Sequence, residues 1–166
     1  MVNLREKPFY LSDDDIRWVE ETRDSMTLEE KIGQLFIMLD RKKDREDERH
    51  LLQDYHLGGC RYENESAEKI YEQNKFYQEC AKIPVLIACN CESGGNGACG
   101  DGTYIASAAA CGATSDTQTA ENVGYVSGVE AAAVGVNWNF APICDIKFNW
   151  RNTVVNTRAY SSDVDK

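Results

Sequence analysis

Short apolar segments alternate with amphipathic segments along most of the chain. Four segments are predicted as strands: the apolar runs QLFIML (34–39) and IPVLIACN (83–90), the glycine-containing HLGGCRYE (56–63), and VNWNFAPICD (136–145). Helical patterns precede the first run and lie between the others. The run at 83–90 is apolar almost throughout, which is typical of a parallel strand covered on both faces. Alternation of strand and helix predicts an α/β fold with a parallel sheet.

The helix starts are predicted from side chains that can cap them. The capping residues and their partners are Ser12 with Asp15, Thr27 with Glu30, Ser66 alone, and Ser115 with Gln118. The helix after Ser66 is expected over about residues 67–82. Gly135 is expected to end the last helix in a left-handed conformation. The charged run at 40–50 predicts a solvated loop and helix face.

The third and fourth strands end in polar residues, where ligands bind in parallel α/β folds. Because side chains alternate along a strand, Asn90 and Glu92 are expected on one face. Both are also common turn formers, so a role in the turn before the glycine-rich loop stays open. In the fourth strand, the predicted site face holds Asn137, Asn139 and Asp145. Its opposite face holds Val136, Trp138 and Phe140, which are expected to pack against helices.

Two of the polar candidates have alternative roles. Asp145 fits a ligand contact or a structural acceptor for backbone N–H groups. Arg158 fits a surface arginine, a donor to substrate hydroxyls or a group that holds a carboxylate in place.

The composition of the chain argues against some classes of binding partner. The chain has 166 residues, which suits one domain, and a net charge of -10 from 28 acidic and 18 basic residues. This balance argues against nucleic acid or an anionic membrane as the main partner. No apolar stretch approaches the ~20 residues of a membrane span, and the N-terminus lacks a signal-peptide pattern. We therefore expect a cytoplasmic protein.

The seven cysteines are expected to be reduced thiols in such a compartment. A zinc site is the alternative, but no CxxC occurs and only two histidines are present. The sequence predicts no metal and no cofactor. Gly95, Gly97 and Gly100 spell GxGxxG, which leaves a dinucleotide-binding protein as a further alternative. That pattern begins well past Asn90, and residues 101–103 interrupt the helix that it requires.

Three motifs in order carry a family resemblance: TLEEKIGQLFIM, IPVLIACNCESGGNG and VGVNWNFAPICDIKFNWRNTVVNTRAYSSDVDK. They resemble the N-terminal catalytic domain of glycoside hydrolase family 3 from about residue 27 onward. The resemblance implies a TIM-type (β/α)8 barrel, of which residues 1–166 would form the N-terminal half, with about four parallel strands. It also implies hydrolysis of O-glycosidic bonds in β-glycosides with retention, as in β-glucosidases or β-N-acetylhexosaminidases.

The resemblance assigns substrate contacts to Asn90 and Arg158, with supporting roles for Glu92 and Asp145. Asn90 stands where the family more often has Asp, so a charge-assisted bond to the sugar is lost. The family's nucleophile, its acid/base and its Lys-His pair match nothing in residues 1–166, so no catalytic residue is predicted. Asp163 matches the acid that closes the arginine motif.

We therefore expect a fragment that is inactive alone. It is expected to form a homo-oligomer or to associate with the missing half of the barrel, because a half barrel exposes strand edges. The predicted partner is a carbohydrate substrate. A non-catalytic carbohydrate-binding or relic domain is the alternative function.

Overall fold

Strand and helix alternate along the chain in the predicted order. The computed structural model describes residues 2–39 and 44–165. Its elements in these ranges are α1 (Asp13–Ser25), α2 (Leu28–Gly33), β1 (Ile37–Leu39), α3 (Arg45–Gln53), β2 (Gly59–Arg61), α4 (Ala67–Cys80), β3 (Leu86–Cys89), α5 (Ala108–Thr114), α6 (Thr117–Ala133) and β4 (Trp138–Asn139). Of the charged run at 40–50, residues 40–43 lie outside the described ranges, and the rest enters α3.

The four strands form one parallel sheet in the order β1-β2-β3-β4. At least one helix lies between each pair of successive strands, which is how parallel strands are joined. Sequential order with such crossovers is the arrangement of neighbouring strands in a (β/α)8 barrel. The predicted α/β fold with about four parallel strands is confirmed.

The strands are shorter than the apolar runs that predict them. Residues 34–36 turn back onto α2, because the N–H groups of Gln34 and Phe36 donate to the carbonyls of Glu30 and Gly33 at 3.1 and 3.0 Å. At the other end, β4 holds only two residues. Pro142 follows soon after and has no N–H to donate to a neighbouring strand. An apolar run therefore predicts where a strand lies but overestimates its length.

One face of the sheet forms the core beneath the helices. The register pairs Met38 with Cys60 and Cys60 with Ile87. Cys60, Ile87 and Cys89 are buried against Ile70 and Tyr77 of α4 in one apolar cluster. Full burial of such side chains contributes about 1.5–3 kcal/mol each. Because side chains alternate along a strand, burial of this layer places the neighbouring strand residues on the opposite face of the sheet.

The opposite face of the sheet is partly open. It carries Ile37, Leu86 and Trp138, which are 38%, 47% and 39% exposed. Within the described ranges, β1 and β4 each pair with one neighbour only. No helix in these ranges is long and apolar enough to cross a membrane.

The predicted faces of β4 are reversed. In the register, Trp138 pairs with Ala88 and Asn139 pairs with Cys89. Trp138 therefore lies on the open face, where its ring meets that of Phe140 edge-to-face at 4.8 Å. Asn139 lies on the side of Cys89. The prediction that Trp138 and Phe140 pack against helices is wrong, because the pairing with β3 sets the faces of so short a strand. Val136, just before β4, is buried in the core as predicted.

Two predicted helix caps are also corrected. Ser66 precedes α4 but makes no capping hydrogen bond. The backbone N–H of Ala67 instead donates to Asp101 Oδ1 at 2.7 Å. The cap of α6 is Asp116, whose Oδ1 accepts from the N–H of Gln118, whereas Ser115 ends α5 with φ of 55°. The boxes at Ser12 and Thr27 are confirmed, and Gly135 follows α6 with φ of 84°.

We expect Asp101→Ala to lower the midpoint of thermal unfolding by a few degrees, because the first turn of α4 loses an acceptor for its N–H groups. Ser66→Ala is the matched control and is expected to change the midpoint little. Circular dichroism melts of the two variants measure the difference. A larger effect of Ser66→Ala than of Asp101→Ala would contradict this assignment of the cap.

Candidate functional site

The site lies at the carboxyl ends of the strands. Asn90 and Glu92 directly follow β3, and Arg158 belongs to a 3-10 turn over Asn156–Arg158. Arg158 Nε donates to Glu92 Oε2 and Nη2 donates to Glu92 Oε1, both at 2.7 Å. This bidentate pair joins the end of β3 to a segment 66 residues later. Of the roles open to Arg158, the structure shows that it holds a carboxylate in place.

The pair is held in its ionised form. Hydrogen bonds from Arg158 hold the pKa of Glu92 below its ordinary value, against the effect of burial. The same contact raises the pKa of Arg158. Both carboxylate oxygens of Glu92 are therefore engaged at neutral pH. Glu92 orients its neighbours and is not free to act as an acid or a nucleophile.

The side-chain amide of Asn90 has a hydrogen-bond partner for its nitrogen but none for its oxygen among the described residues. Its Nδ2 donates to Glu92 Oε1 at 3.3 Å. Its Oδ1 is buried and accepts no hydrogen bond within the described residues. Asn90 also lines a cleft of about 560 Å³ at the ends of β1, β2 and β3, together with Leu39, Arg61 and Asn64. A buried acceptor without a donor costs about 1–3 kcal/mol, so this oxygen is suited to receive a ligand's donor.

The glycine-rich loop is packed against Asn90. A Cβ on Gly97 would lie 2.0 Å from the backbone oxygen of Asn90, so only glycine fits there. The far end of the loop is anchored because Thr103 donates to Glu130 through its N–H at 2.8 Å and its hydroxyl at 2.5 Å. After β3 the next α-helix begins only at Ala108. The helix start required by a dinucleotide-binding loop is thus not present in this loop.

The asparagines of β4 have a structural role. Asn137 accepts from the N–H of Ile87 at 2.7 Å and donates to the carbonyl of Val85 at 3.0 Å. Asn139 Oδ1 accepts from the N–H groups of Cys91 and Ala141. These side chains extend the hydrogen bonding between β3 and β4 beyond the two paired residues. They support the end of β3 and do not line the cleft that holds Asn90. Asn139 does line a smaller cavity, of about 170 Å³, together with Glu92 and Arg158.

Asp145 lies apart from the other predicted residues. Its side chain is exposed, and it does not line the cleft that holds Asn90. Its charge contributes to the raised pKa of Arg158, after the larger contribution of Glu92. The structure therefore brings Asn90, Glu92 and Arg158 together and leaves Asp145 at the margin.

Two thiols flank Asn90 on the core side. The Sγ atoms of Cys89 and Cys91 are 3.3 Å apart and both residues are buried. The hydrogen bond with Cys89 and burial raise the pKa of the Cys91 thiol. None of the seven cysteines forms a disulfide, and Cys144 alone is exposed. The described residues contain no group of three His, Cys, Asp or Glu side chains that could hold a metal ion.

The sequence matches the family model for the glycosyl hydrolase family 3 N-terminal domain over residues 27–166. This chain belongs to glycosyl hydrolase family 3. The match begins at Thr27, the cap of α2, and includes all four strands and the three grouped site residues.

The relatives within family 3 are named either as glycosidases or as a phosphorylase. A β-N-acetylglucosaminidase/β-glucosidase from Cellulomonas fimi is 36% identical over 163 residues, which are 98% of this chain and 29% of the relative. A solved structure of the β-glucoside phosphorylase BglX bound to 2FGlc is 41% identical with a TM-score of 0.87, covering 96% of this chain and 29% of that one.

A third family 3 relative is a β-N-acetylglucosaminidase from Paenibacillus sp. str. FPU-7. Its structure is 28% identical with a TM-score of 0.76, covering 85% of this chain and 28% of that one. The chain therefore spans less than a third of the length of these relatives.

Arg61 is a cleft residue that no sequence motif marks. It is the last residue of β2 and lines the cleft beside Asn90. The only signal in the sequence is a charged residue within a short strand of small and apolar residues. Its position at the site depends on the pairing of β2 with β3.

We expect Glu92→Gln to reduce the free energy of unfolding at neutral pH by about 1–3 kcal/mol, because a charged bidentate partner of Arg158 is lost. The pKa of Glu92 is lower in the folded state, so its stabilisation is complete above its ordinary value. This stabilisation is lost as the pH falls through the lowered pKa of Glu92 in the folded state. The difference between wild type and variant should therefore shrink in acid, as measured by urea unfolding across pH.

The matched control is Asp13→Asn. The Arg5–Asp13 pair has the same 2.7 Å distance, but its side chains are 64% and 76% exposed. Exposed pairs contribute little, so this variant should be nearly neutral. Equal losses in the two variants would refute a special role for the Glu92–Arg158 pair.

Proposed function

We propose that this chain forms the first four strands of a longer family 3 protein that cleaves β-glycosides with retention. The Cellulomonas fimi relative is named a β-N-acetylglucosaminidase/β-glucosidase. The chain corresponds to 29% of that relative, which supports a parent protein with more of the barrel. The sugar would be a β-glucoside or a β-N-acetylglucosaminide, the two classes in the relatives' names.

The open oxygen of Asn90 carries this proposal. It is a buried acceptor with no donor in residues 2–39 and 44–165. It belongs to a residue that lines a cleft at the strand ends, where parallel folds bind ligands. A sugar hydroxyl supplies the missing donor. In the proposed site, Asn90 accepts from the hydroxyl while its Nδ2 stays bonded to Glu92.

Arg158 is proposed to serve both Glu92 and the sugar. Its Nε and Nη2 are bonded to Glu92, while Nη1 makes no hydrogen bond within the described residues. Nη1 is therefore suited to donate to a second hydroxyl. Glu92 positions Arg158 and Asn90. Asp145 stays a prediction, with a supporting role through its charge near Arg158.

The bond-breaking groups are proposed to come from the rest of the parent protein. Retention requires two carboxyl groups about 5–5.5 Å apart, one as nucleophile and one as acid/base. Glu92 cannot serve as the nucleophile because Arg158 engages both of its oxygens. The proposed contribution of this chain is binding and orientation of the sugar. A cytoplasmic location, association with the missing half of the barrel and a homo-oligomeric state also remain predictions.

We expect the chain to bind glucose or N-acetylglucosamine, and Asn90→Ala to weaken that binding about three- to tenfold, the loss of one neutral hydrogen bond. Isothermal titration calorimetry measures this. Asn122→Ala, an exposed asparagine on α6, is the matched control and should not change the affinity. The chain alone should not hydrolyse a nitrophenyl β-glycoside. Turnover by the chain, or unchanged binding in Asn90→Ala, would count against the proposal.

Phosphorolysis is the second candidate, because a relative with 41% identity is named a β-glucoside phosphorylase. Water and phosphate would compete to accept the glycosyl group in the parent protein. We expect an assay of cleavage by the full-length protein, with and without inorganic phosphate, to distinguish hydrolysis from phosphorolysis. A phosphate-dependent rate with glucose 1-phosphate as product identifies phosphorolysis, whereas free glucose at an unchanged rate identifies hydrolysis.

A further inference from the structure

Arg61 and Asn90 lie on the same face of the sheet. The register pairs Leu39 with Arg61 and Arg61 with Ala88, so these three side chains share a face. Asn90 lies two residues after Ala88 and extends the same face beyond the end of β3. Arg61 is the last residue of β2, and its side chain lines the cleft of about 560 Å³ together with Asn90. One cleft is therefore lined by Arg61 and by Asn90, whose amide oxygen is a buried acceptor without a donor among the described residues.

The Arg61 guanidinium has no carboxylate within ion-pair distance in the described part of the chain. It is half-buried and makes no hydrogen bond or ion pair with the described residues. Arg158, by contrast, has both Nε and Nη2 bonded to Glu92. The charge of Arg61 also acts on Glu92, where it adds to the much larger effect of Arg158 in lowering the pKa. A half-buried charge without a partner gains most from a ligand that brings the opposite charge.

The chemistry of the two open groups defines the ligand. Arginine presents donors in a planar fork that fits a carboxylate or a phosphate, and such charge-assisted bonds are roughly twice as strong as neutral ones. Asn90 Oδ1 requires a donor such as a hydroxyl. Glu63 also lines the cleft, and its carboxylate disfavours an anion with no other contact. A ligand that offers a hydroxyl beside an anionic oxygen satisfies both open groups at once.

We propose that this cleft binds an anionic oxygen group through Arg61, next to the sugar hydroxyl held by Asn90. Arg61 is then the residue that selects for acidic ligands. The anionic group is either carried by the sugar, as a phosphate ester or a carboxylate, or supplied by free phosphate bound beside a neutral sugar. This inference rests on the proposed sugar-binding function.

Calorimetric titration of the chain with glucose, glucose 6-phosphate, glucuronate and inorganic phosphate tests the proposal. We expect at least one acidic sugar to bind tenfold or more tightly than glucose, or phosphate to raise the affinity for glucose by that factor. The first result assigns the anion to the sugar, and the second assigns it to free phosphate. Either preference should weaken as ionic strength increases.

Arg61→Met should abolish the preference for acidic ligands, and Arg61→Lys should leave an intermediate preference because the charge stays while the fork is lost. Arg17→Met on α1 removes the same charge away from the cleft and should leave the preference intact. Thermal melts check that each variant folds, and Arg61→Lys carries the test if Arg61→Met does not.

The outcomes separate the two proposals. Glucose binding without any acidic or phosphate preference, or a preference that survives Arg61→Met, overturns the role of Arg61 and leaves the proposed function standing. Phosphate binding that depends on Arg61, without binding of any sugar, supports the anion site and overturns the proposed function. Absence of binding to all four probes overturns both.

Discussion

The parallel register of β1 to β4 is the constraint on which the rest of the structure depends. Because paired residues in neighbouring parallel strands share a face, the burial of Cys60 and Ile87 under the helices turns Arg61 and Ala88 to the other side. Asn90 follows on that side at the end of β3. The cleft is therefore a consequence of core packing: the same apolar layer that stabilises the sheet orients the polar groups at its edge.

Side-chain hydrogen bonds extend this register where the backbone pairing ends. Asn137 and Asn139 connect β4 to the backbone of β3, and the Glu92–Arg158 pair connects the end of β3 to the segment after β4. These bonds compensate for strands of two to four residues. They also hold in place the segment after β3 that carries Asn90, the residue proposed to contact the sugar.

Family membership bears on the class of reaction, whereas the site geometry bears on how a ligand could be bound. Membership in family 3 places the chain among proteins named for action on β-glycosides. Among the described residues, the geometry contributes an acceptor without a donor on Asn90, a donor on Arg158 and a guanidinium without an ion pair on Arg61. Binding and selection of the sugar are thus the roles proposed for the described residues, and the carboxylate chemistry is assigned to the proposed remainder of the barrel.

The sequence by itself determined the α/β class, the order of the strands, two capping boxes and the family, and it proposed Asn90 and Arg158 as site residues. These depend on local hydrogen bonds, on apolar spacing and on motifs, all of which are contained in short stretches of chain. Only the tertiary structure decided which side chains of β4 lie on the open face of the sheet and that Asp101 caps α4. It also decided that Glu92 pairs with Arg158 and that Arg61 lines the cleft. Each of these joins residues distant in sequence, and their contacts follow from strand register and packing.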